Sequence, residues 1–520
     1  MTSSRTIKRR DVLRLGGAGA AIALGGGLVL PSIALAQPKR GGVLRLAFDS
    51  GSASDTLDPA VVGQSFKVTL SYGTLRNNLT EVAANGDLVP ELAESWEATP
   101  DAKTWAFKIR KGVEFHNGKT LTPQDVIASF NHHRGKKTKS GAKALLKQIE
   151  DVRIDGDMII FSLKSGIADF AWYLSNHSLQ ICPVIGGKLD VLSGIGTGAY
   201  VLQEFEPGVR ASGTRNPNYF KTDRAFFDEV RYRSIPDSTA RTNALLTGEV
   251  DVVVPADIQT IDLLARRDNI EIFSVVTRSH QVFPMRNTDA PFDNNDVRLA
   301  FKHAFDKKTH VERIMRGYGE VGNHQPIAKT DPFYAEGLED LGYDIDKAKF
   351  HLRKAGLSTV NVKLHSAEGL YPGAIDACSL FRESAAPAGI NVEVVREPRD
   401  GYFANVWRKR PFVASFWRAR PTADMLLTTV YAEGAPYNET VWSHERFNTL
   451  LVEARSMLDF AGRKERYAEI QRIIRDEGPT IIPAFTHYVG ASSNKLAHGP
   501  HIGSNNTSDN GRLCERWWFA

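Results

Sequence analysis

The chain has 520 residues, 42% of them hydrophobic and 24% charged, with 65 Lys and Arg against 60 Asp and Glu for a net charge of +5. That length is too great for one hydrophobic core and implies two or three lobes. Residues 1–36 hold five basic residues and one acid, so the remainder carries only +1, and neither nucleic acid nor an anionic membrane surface is implied as a partner.

Residues 1–36 read as an export signal rather than as part of the fold. Arg5, Lys8, Arg9 and Arg10 make a basic start, an apolar stretch runs from Leu15 to Leu30, and Ala34-Leu35-Ala36 offers a small-x-small cleavage site that leaves Gln37 first. Lys8-Arg9-Arg10-Asp11-Val12-Leu13-Arg14 resembles the twin-arginine export motif, and the weak, glycine-interrupted stretch suits it; a general-secretion signal is the alternative. No Cys follows to carry a lipid, and no later run approaches the ~18 apolar residues of a membrane helix, so a periplasmic protein is expected.

In the mature chain, residues 42–48 alternate as a first strand, followed by a turn at Asp55-Thr56-Leu57-Asp58-Pro59. Trp105, Phe107 and Ile109 alternate with Lys108 and Arg110 after the Thr99-Pro100-Asp101 turn, which predicts a hairpin within 96–115. Thr122-Pro123-Gln124-Asp125 has the cap, proline and acid of a helix start, with Val126, Ile127 and Phe130 as its apolar face. Strands at 152–155 and 158–163 follow, and Gly194, Gly196 and Gly198 mark a bend. Helical spacing recurs at 239–248, 295–306, 346–355, 374–388, 444–459 and 463–477, interleaved with strands at 229–234, 271–276, 361–366, 391–396 and 412–417. The alternation predicts α/β lobes with mixed sheets.

Short blocks spread over nearly the whole mature chain resemble the family 5 extracellular solute-binding proteins, which serve dipeptide, oligopeptide and nickel importers. The blocks are Thr56-Leu57-Asp58-Pro59, Pro90-Glu91-Leu92-Ala93-Glu94-Ser95-Trp96 and, most specific, the run Phe115-His116-Asn117-Gly118 through Leu121-Thr122-Pro123-Gln124-Asp125-Val126. Gly196-Thr197-Gly198-Ala199-Tyr200, residues 215–220, 244–251 and 291–300, and the 343–356 stretch continue the resemblance in the family's order. Asn117, Pro123 and Ala199 depart from the pattern, all at turns or helix starts.

The resemblance implies an α/β, two-lobed periplasmic-binding-protein fold (Venus flytrap) with an extra subdomain inserted in the large lobe. The large lobe would comprise 37–82, 205–283 and 495–520, the inserted subdomain 83–204 and the second lobe 284–494, with chain crossings near 283 and 494. It also implies the substrate-binding component of an ABC importer, a monomer without cofactor, metal or catalysis. Such a protein takes short peptides or a peptide-like amino-acid derivative between its lobes and delivers it to an inner-membrane permease; an opine, sugar or nickel chelate is the alternative, and a periplasmic chaperone or hydrolase a more distant one.

Ser415 to Asp424 is the richest candidate for ligand contact, since an aromatic, two guanidinium groups and a carboxylate can together hold a zwitterion. In peptide-binding relatives an Asp shortly after a Trp pairs with the ligand's α-ammonium, and Trp417 and Asp424 resemble those positions. Asp424 has a second reading as a helix cap, and Trp417 as core. Arg418 or Arg420 would receive a carboxylate by a bidentate fork. Tyr431 and Asn438 are secondary wall candidates, and Gln64 and Tyr72 are placed in the pocket by position alone.

Other signals fall away. Residues 112–120 space their glycines wrongly for a phosphate loop, the glycines at 194–198 lack a dinucleotide fingerprint, and no G-x-S-x-G elbow occurs. His132-His133 and His444 read as solvated helix-face residues rather than metal ligands. Cys182, Cys378 and Cys514 allow at most one disulfide, against the alternative of three buried thiols. Trp517-Trp518-Phe519 reads as a docked tail.

Overall fold

The computed structural model describes residues 38–520 apart from 62, 136, 137 and 506, so the export signal lies outside the described residues. Its largest sheet has nine strands. Val43–Phe48 runs parallel between Glu229–Ser234 and Val252–Val254, and a hairpin of Tyr200–Glu206 and Arg210–Arg215 extends the outer side. Parallel neighbours on both edges explain why Leu44, Leu46, Ala47 and Phe48 are all buried. Phe48 stacks on Tyr232, with Phe66 edge-on to both.

On the other side two long antiparallel strands, Ile270–Pro284 and Thr480–Ser493, continue the sheet from this core toward a second one. Their register holds from Ile270↔Ser493 to Val276↔His487, breaks, and resumes at His280↔Phe485. Residues 277–279 therefore bulge opposite Thr486, stitched by Thr277 Oγ1 donating to the Thr486 carbonyl at 2.8 Å. Beyond the bulge Ser415–Trp417 pairs with Ile270–Pro284, and Gly319–Val321 with Thr480–Ser493. A second shift in register follows between Gln281 and Phe283.

Separate hydrophobic cores follow the chain segments. One gathers Leu44, Phe66, Tyr200, Val230, Phe273 and Trp517. A second gathers Trp105, Phe107, Phe130, Phe161 and Phe170 around the four-stranded antiparallel sheet that contains the expected hairpin, Ala93–Ala98 with Thr104–Ile109. Two more occupy 282–482, one around Phe301, Phe381 and Phe412 and one around Trp417, Phe447 and Tyr467. The helix Pro123–Arg134 begins as its sequence requires, with the Thr122 backbone N–H donating to the Asp125 carboxylate at 2.8 Å. Gly196 and Gly198 press against the backbone of Thr74 and Leu75 so closely that a Cβ at either would lie within 2.4 Å of a backbone atom.

All three cysteines are free thiols in buried positions. The tail docks as expected: Trp517 lies edge-on to Phe273 at 5.2 Å, and Trp518–Phe519 pairs with Leu496–Ala497. Behind it sits a buried charge cluster. Arg512 meets Glu91 and Glu515, each at 2.8 Å, and Lys221, Arg224 and Arg516 complete a set that also neutralises Glu81. Burial pushes the Glu515 carboxyl up, but Lys221, Arg512 and Arg224 outweigh it and hold it at about 2. Among the described residues no helix is long and apolar enough to cross a membrane.

Candidate functional site

The segment after Ser415–Trp417 is fixed by the bulged crossing. Ala419 N–H donates to Ser279 Oγ at 2.9 Å, and Arg278 Nη1 donates to the Pro421 carbonyl at 2.7 Å while pairing with Asp331 at 3.0 Å. Residues 418–421 are thereby held where the long strands pass from one core to the next. Arg418 is exposed and Arg420 half-buried, whereas Trp417 turns inward, which is the alternation expected of a strand and its extension.

Asp424 does not cap the helix Ala423–Val430; Thr422 does, its side chain accepting from Met425 N–H at 3.2 Å. Nor does Asp424 present an open carboxylate. It is 1% exposed, Arg455 donates to it at 2.9 Å, Tyr173 OH donates to it at 2.9 Å, and Thr428 adds a contact at 3.3 Å. The capping reading of Asp424 therefore gives way, and its carboxylate lies in a buried junction between residues 83–204 and 284–494. The junction continues with Arg463 donating to Asp169 at 2.6 Å and Met425 entering the core of residues 79–181.

Trp417 is part of the core. Its indole N–H donates to Glu439 at 2.8 Å, and Trp407 donates to the same carboxylate at 2.5 Å. Trp407, Trp417 and Tyr437 lie with ring centroids 6.0 to 6.2 Å apart, and Tyr437 remains 45% exposed. Glu439 is 3% exposed with no basic partner in ion-pair range among the described residues; burial pushes its carboxyl up to about 7 against the lowering pull of the two indoles. Trp407, Tyr437 and Glu439 were absent from the sequence reading. The aromatic run Trp407, Trp417, Tyr437 was available as a signal, but Trp407 belongs to the turn after the helix Tyr402–Asn405 and Glu439 to a loop.

The secondary candidates separate from this aromatic cluster. Tyr431 is buried in the core with its hydroxyl unpartnered, and Asn438 ties its own loop, donating to the Trp442 carbonyl at 2.7 Å. Tyr72 is buried beneath Arg512, which lies 4.6 Å from its ring centroid, so it belongs to the tail's charge cluster. Gln64 is exposed at the start of Ser65–Ser71 without a capping bond.

His177 was also missed. It is half-buried, and its ring is held down to about 4 by burial and by the charges of Lys67, Arg420 and Arg418. Those residues come from three stretches distant in sequence, and their charges act on one ring. Of the expected solvated histidines, His133 is buried against Ser140, while His444, the cap of Glu445–Ser456, and His132, bonded to Asp58 at 2.8 Å, are both half-exposed. No three His, Cys, Asp or Glu side chains gather as metal ligands among the described residues. A cavity of about 700 Å³ lies elsewhere, between Ala98, Pro100 and the Ser456–Asp459 turn, and its Glu453 and Arg466 pair with each other at 2.9 Å.

Two lobes sharing long crossing strands define the periplasmic-binding-protein fold. The chain belongs to the bacterial extracellular solute-binding proteins, family 5, whose model matches residues 87–472. It is 28% identical over 328 residues to heme-binding protein A of Haemophilus influenzae, a match taking in 57% of this chain and 59% of that protein. To the dipeptide-binding protein of Pseudomonas aeruginosa PAO1 it is 24% identical, over 92% of this chain and 95% of the relative. The structure of HbpA2 from Haemophilus parasuis superposes with a TM-score of 0.80 at 22% identity, covering 89% of this chain and 98% of the other.

Proposed function

We propose that the protein is the periplasmic substrate-binding component of an ABC importer, taking a short peptide or peptide-like amino-acid derivative between its lobes and delivering it to an inner-membrane permease. The observation that carries this reading is Arg420, a half-buried guanidinium at the strand crossing whose only hydrogen bonds among the described residues go to the carbonyls of Arg418 and Ala419, at 3.3 and 3.4 Å. A ligand carboxylate fits its open donors, Arg418 stands beside it, and the exposed ring of Tyr437, which Trp417 backs, suits the ligand's apolar part. Asp424 has no place among the ligand contacts, being saturated by Arg455 and Tyr173.

On this reading residues 1–36 are a twin-arginine export signal and the mature protein is a monomeric receptor without catalytic role. The large lobe comprises 37–82, 205–283 and 495–520, the subdomain 83–204 and the second lobe 284–494. The irregular stretch of the crossing strand from Val276 to Phe283, with its two shifts in register, runs up to the 283 boundary and serves as the hinge, where a local change in backbone angles swings one core against the other. Ligand touching both sides favours the closed form.

A thermal-shift screen of residues 37–520 against di- to pentapeptides, opines, sugars and nickel chelates tests the assignment, because a solute bound only by the folded state raises the melting temperature by mass action. Stabilisation by peptides supports it, and stabilisation by opines alone moves the ligand to the alternative class. Stabilisation by sugars or nickel chelates alone overturns the ligand class.

A further inference from the structure

The charges around Arg420 narrow the ligand further. Three arginines around the crossing and the adjoining junction have an acid each: Arg278 has Asp331, Arg455 has Asp424 and Arg463 has Asp169, whereas Arg418 and Arg420 have none within ion-pair range among the described residues. Burial lowers the pKa of Arg420, with only the Tyr437 hydroxyl acting in the opposite sense and Arg418 lowering it further. Positive charge also reaches His177 from Lys67, whose ammonium is satisfied by the carbonyls of Asp58 and Val61 rather than by a carboxylate.

The acids named above are engaged within the protein or buried away from solvent. Asp424 serves Arg455, Tyr173 and Thr428; Asp169 serves Arg463 through Oδ1 and keeps Oδ2 buried; Glu439 is closed between two indole N–H groups. An incoming ammonium finds no free carboxylate among these groups and meets two guanidinium charges. An incoming carboxylate finds a fork of open N–H donors in a half-dry setting, where charge-assisted hydrogen bonds are strongest.

Resting on the receptor reading above, we propose that the site selects an anionic solute: an acid group on Arg420 beside Arg418, and an apolar or planar part on the exposed ring of Tyr437, which Trp417 backs, with no need of a free ammonium. The matching chemical class is N-acylated or otherwise acidic amino-acid conjugates, as distinct from simple zwitterionic dipeptides. The uncompensated charges set the preference by electrostatic complementarity, and a cationic ligand is rejected by like charge.

Three probes separate the alternatives by calorimetric titration of residues 37–520, which form one compact unit. N-succinyl-phenylalanine carries two carboxylates and no ammonium, Ala-Phe is a zwitterion, and Ala-Phe-amide carries only the ammonium. N-succinyl-phenylalanine is expected to bind most tightly and Ala-Phe-amide least. Arg420→Gln, with its fold checked by circular dichroism, is expected to weaken N-succinyl-phenylalanine roughly 10- to 100-fold, as loss of a charged hydrogen-bond partner does. Arg418→Gln, which removes an exposed charge, is expected to weaken it less. Tighter binding of Ala-Phe or Ala-Phe-amide than of N-succinyl-phenylalanine, or indifference to Arg420→Gln, overturns the anionic preference while leaving the receptor reading intact. Failure of all three probes together with binding of a sugar or nickel chelate overturns both.

Discussion

Arg463 donates to Asp169 across 2.6 Å with both side chains buried, joining a helix of the 284–494 segment to the 83–204 segment. Close by, Arg455 and Tyr173 hold Asp424, and the Ala168 N–H donates to the Arg455 carbonyl at 2.7 Å. These contacts form one seam. Removing one partner of such a pair leaves a buried charge without compensation, so Arg463→Met is expected to lower unfolding free energy by ~3–5 kcal/mol, and Arg463→Met with Asp169→Leu to recover much of the loss. Urea denaturation of the two variants measures both quantities. Equal losses in single and double variants would mean that the pair is not the source of the effect.

The tail cluster gives a second stability prediction. Arg512→Met removes a fully buried cation from Glu91 and Glu515, and an unfolding cost of ~3–5 kcal/mol is expected, with faster amide exchange over 507–520. Because Glu515 is held at about 2, well below its ordinary value, its contribution is fully present above about pH 4.5 and is lost as pH falls toward 2.

Glu439 titrates in the opposite sense. Its carboxyl is raised to about 7, so between about pH 4.5 and 7 the unfolded chain releases a proton that the folded chain retains, and this group lowers stability as pH rises through that window. Glu439→Gln is expected to flatten that part of the profile. Thermal melts of both proteins at half-unit steps from pH 4.5 to 7.5 give the difference directly, and parallel profiles would contradict the assignment.

Five histidines, His116, His133, His177, His280 and His310, are each held down to about 4, chiefly by burial. Their stabilising effect is complete above the ordinary value near 6.5 and is lost as pH falls toward 4, at up to ~1.4 kcal/mol per pH unit for each ring. Five rings outweigh one carboxyl, so the wild-type protein is expected to lose stability steadily below pH 6.5. A melting temperature that holds or rises from pH 6.5 to 5 would contradict this.

Much of the fold was legible because its elements are local. The cap at Thr122, the alternation through Trp105, Phe107 and Ile109, and the helical spacing of 445–456 each carry their structure within a dozen residues. The strand Thr480–Ser493 was not found, since Pro483 and Gly490 break its pattern and its two edges are buried by partners remote in sequence. The site was half legible for the same reason. Arg418, Arg420 and Trp417 announce themselves as a cluster, but only the folded chain shows Arg455 reaching Asp424, or Glu439 receiving both indoles. Side-chain chemistry marks which residues can bind a solute, and pairing across the fold decides which of them remain open to do so.

The central claim is that a solute is held where residues 415–421 meet the strand crossing. Hydrogen exchange followed by mass spectrometry, with and without the probe that most raises the melting temperature, tests it most directly. The account predicts slowed exchange in peptides covering 172–180, 276–281, 415–421 and 435–439. Slowing confined to other segments, such as 452–466 beside the 700 Å³ cavity, would contradict it.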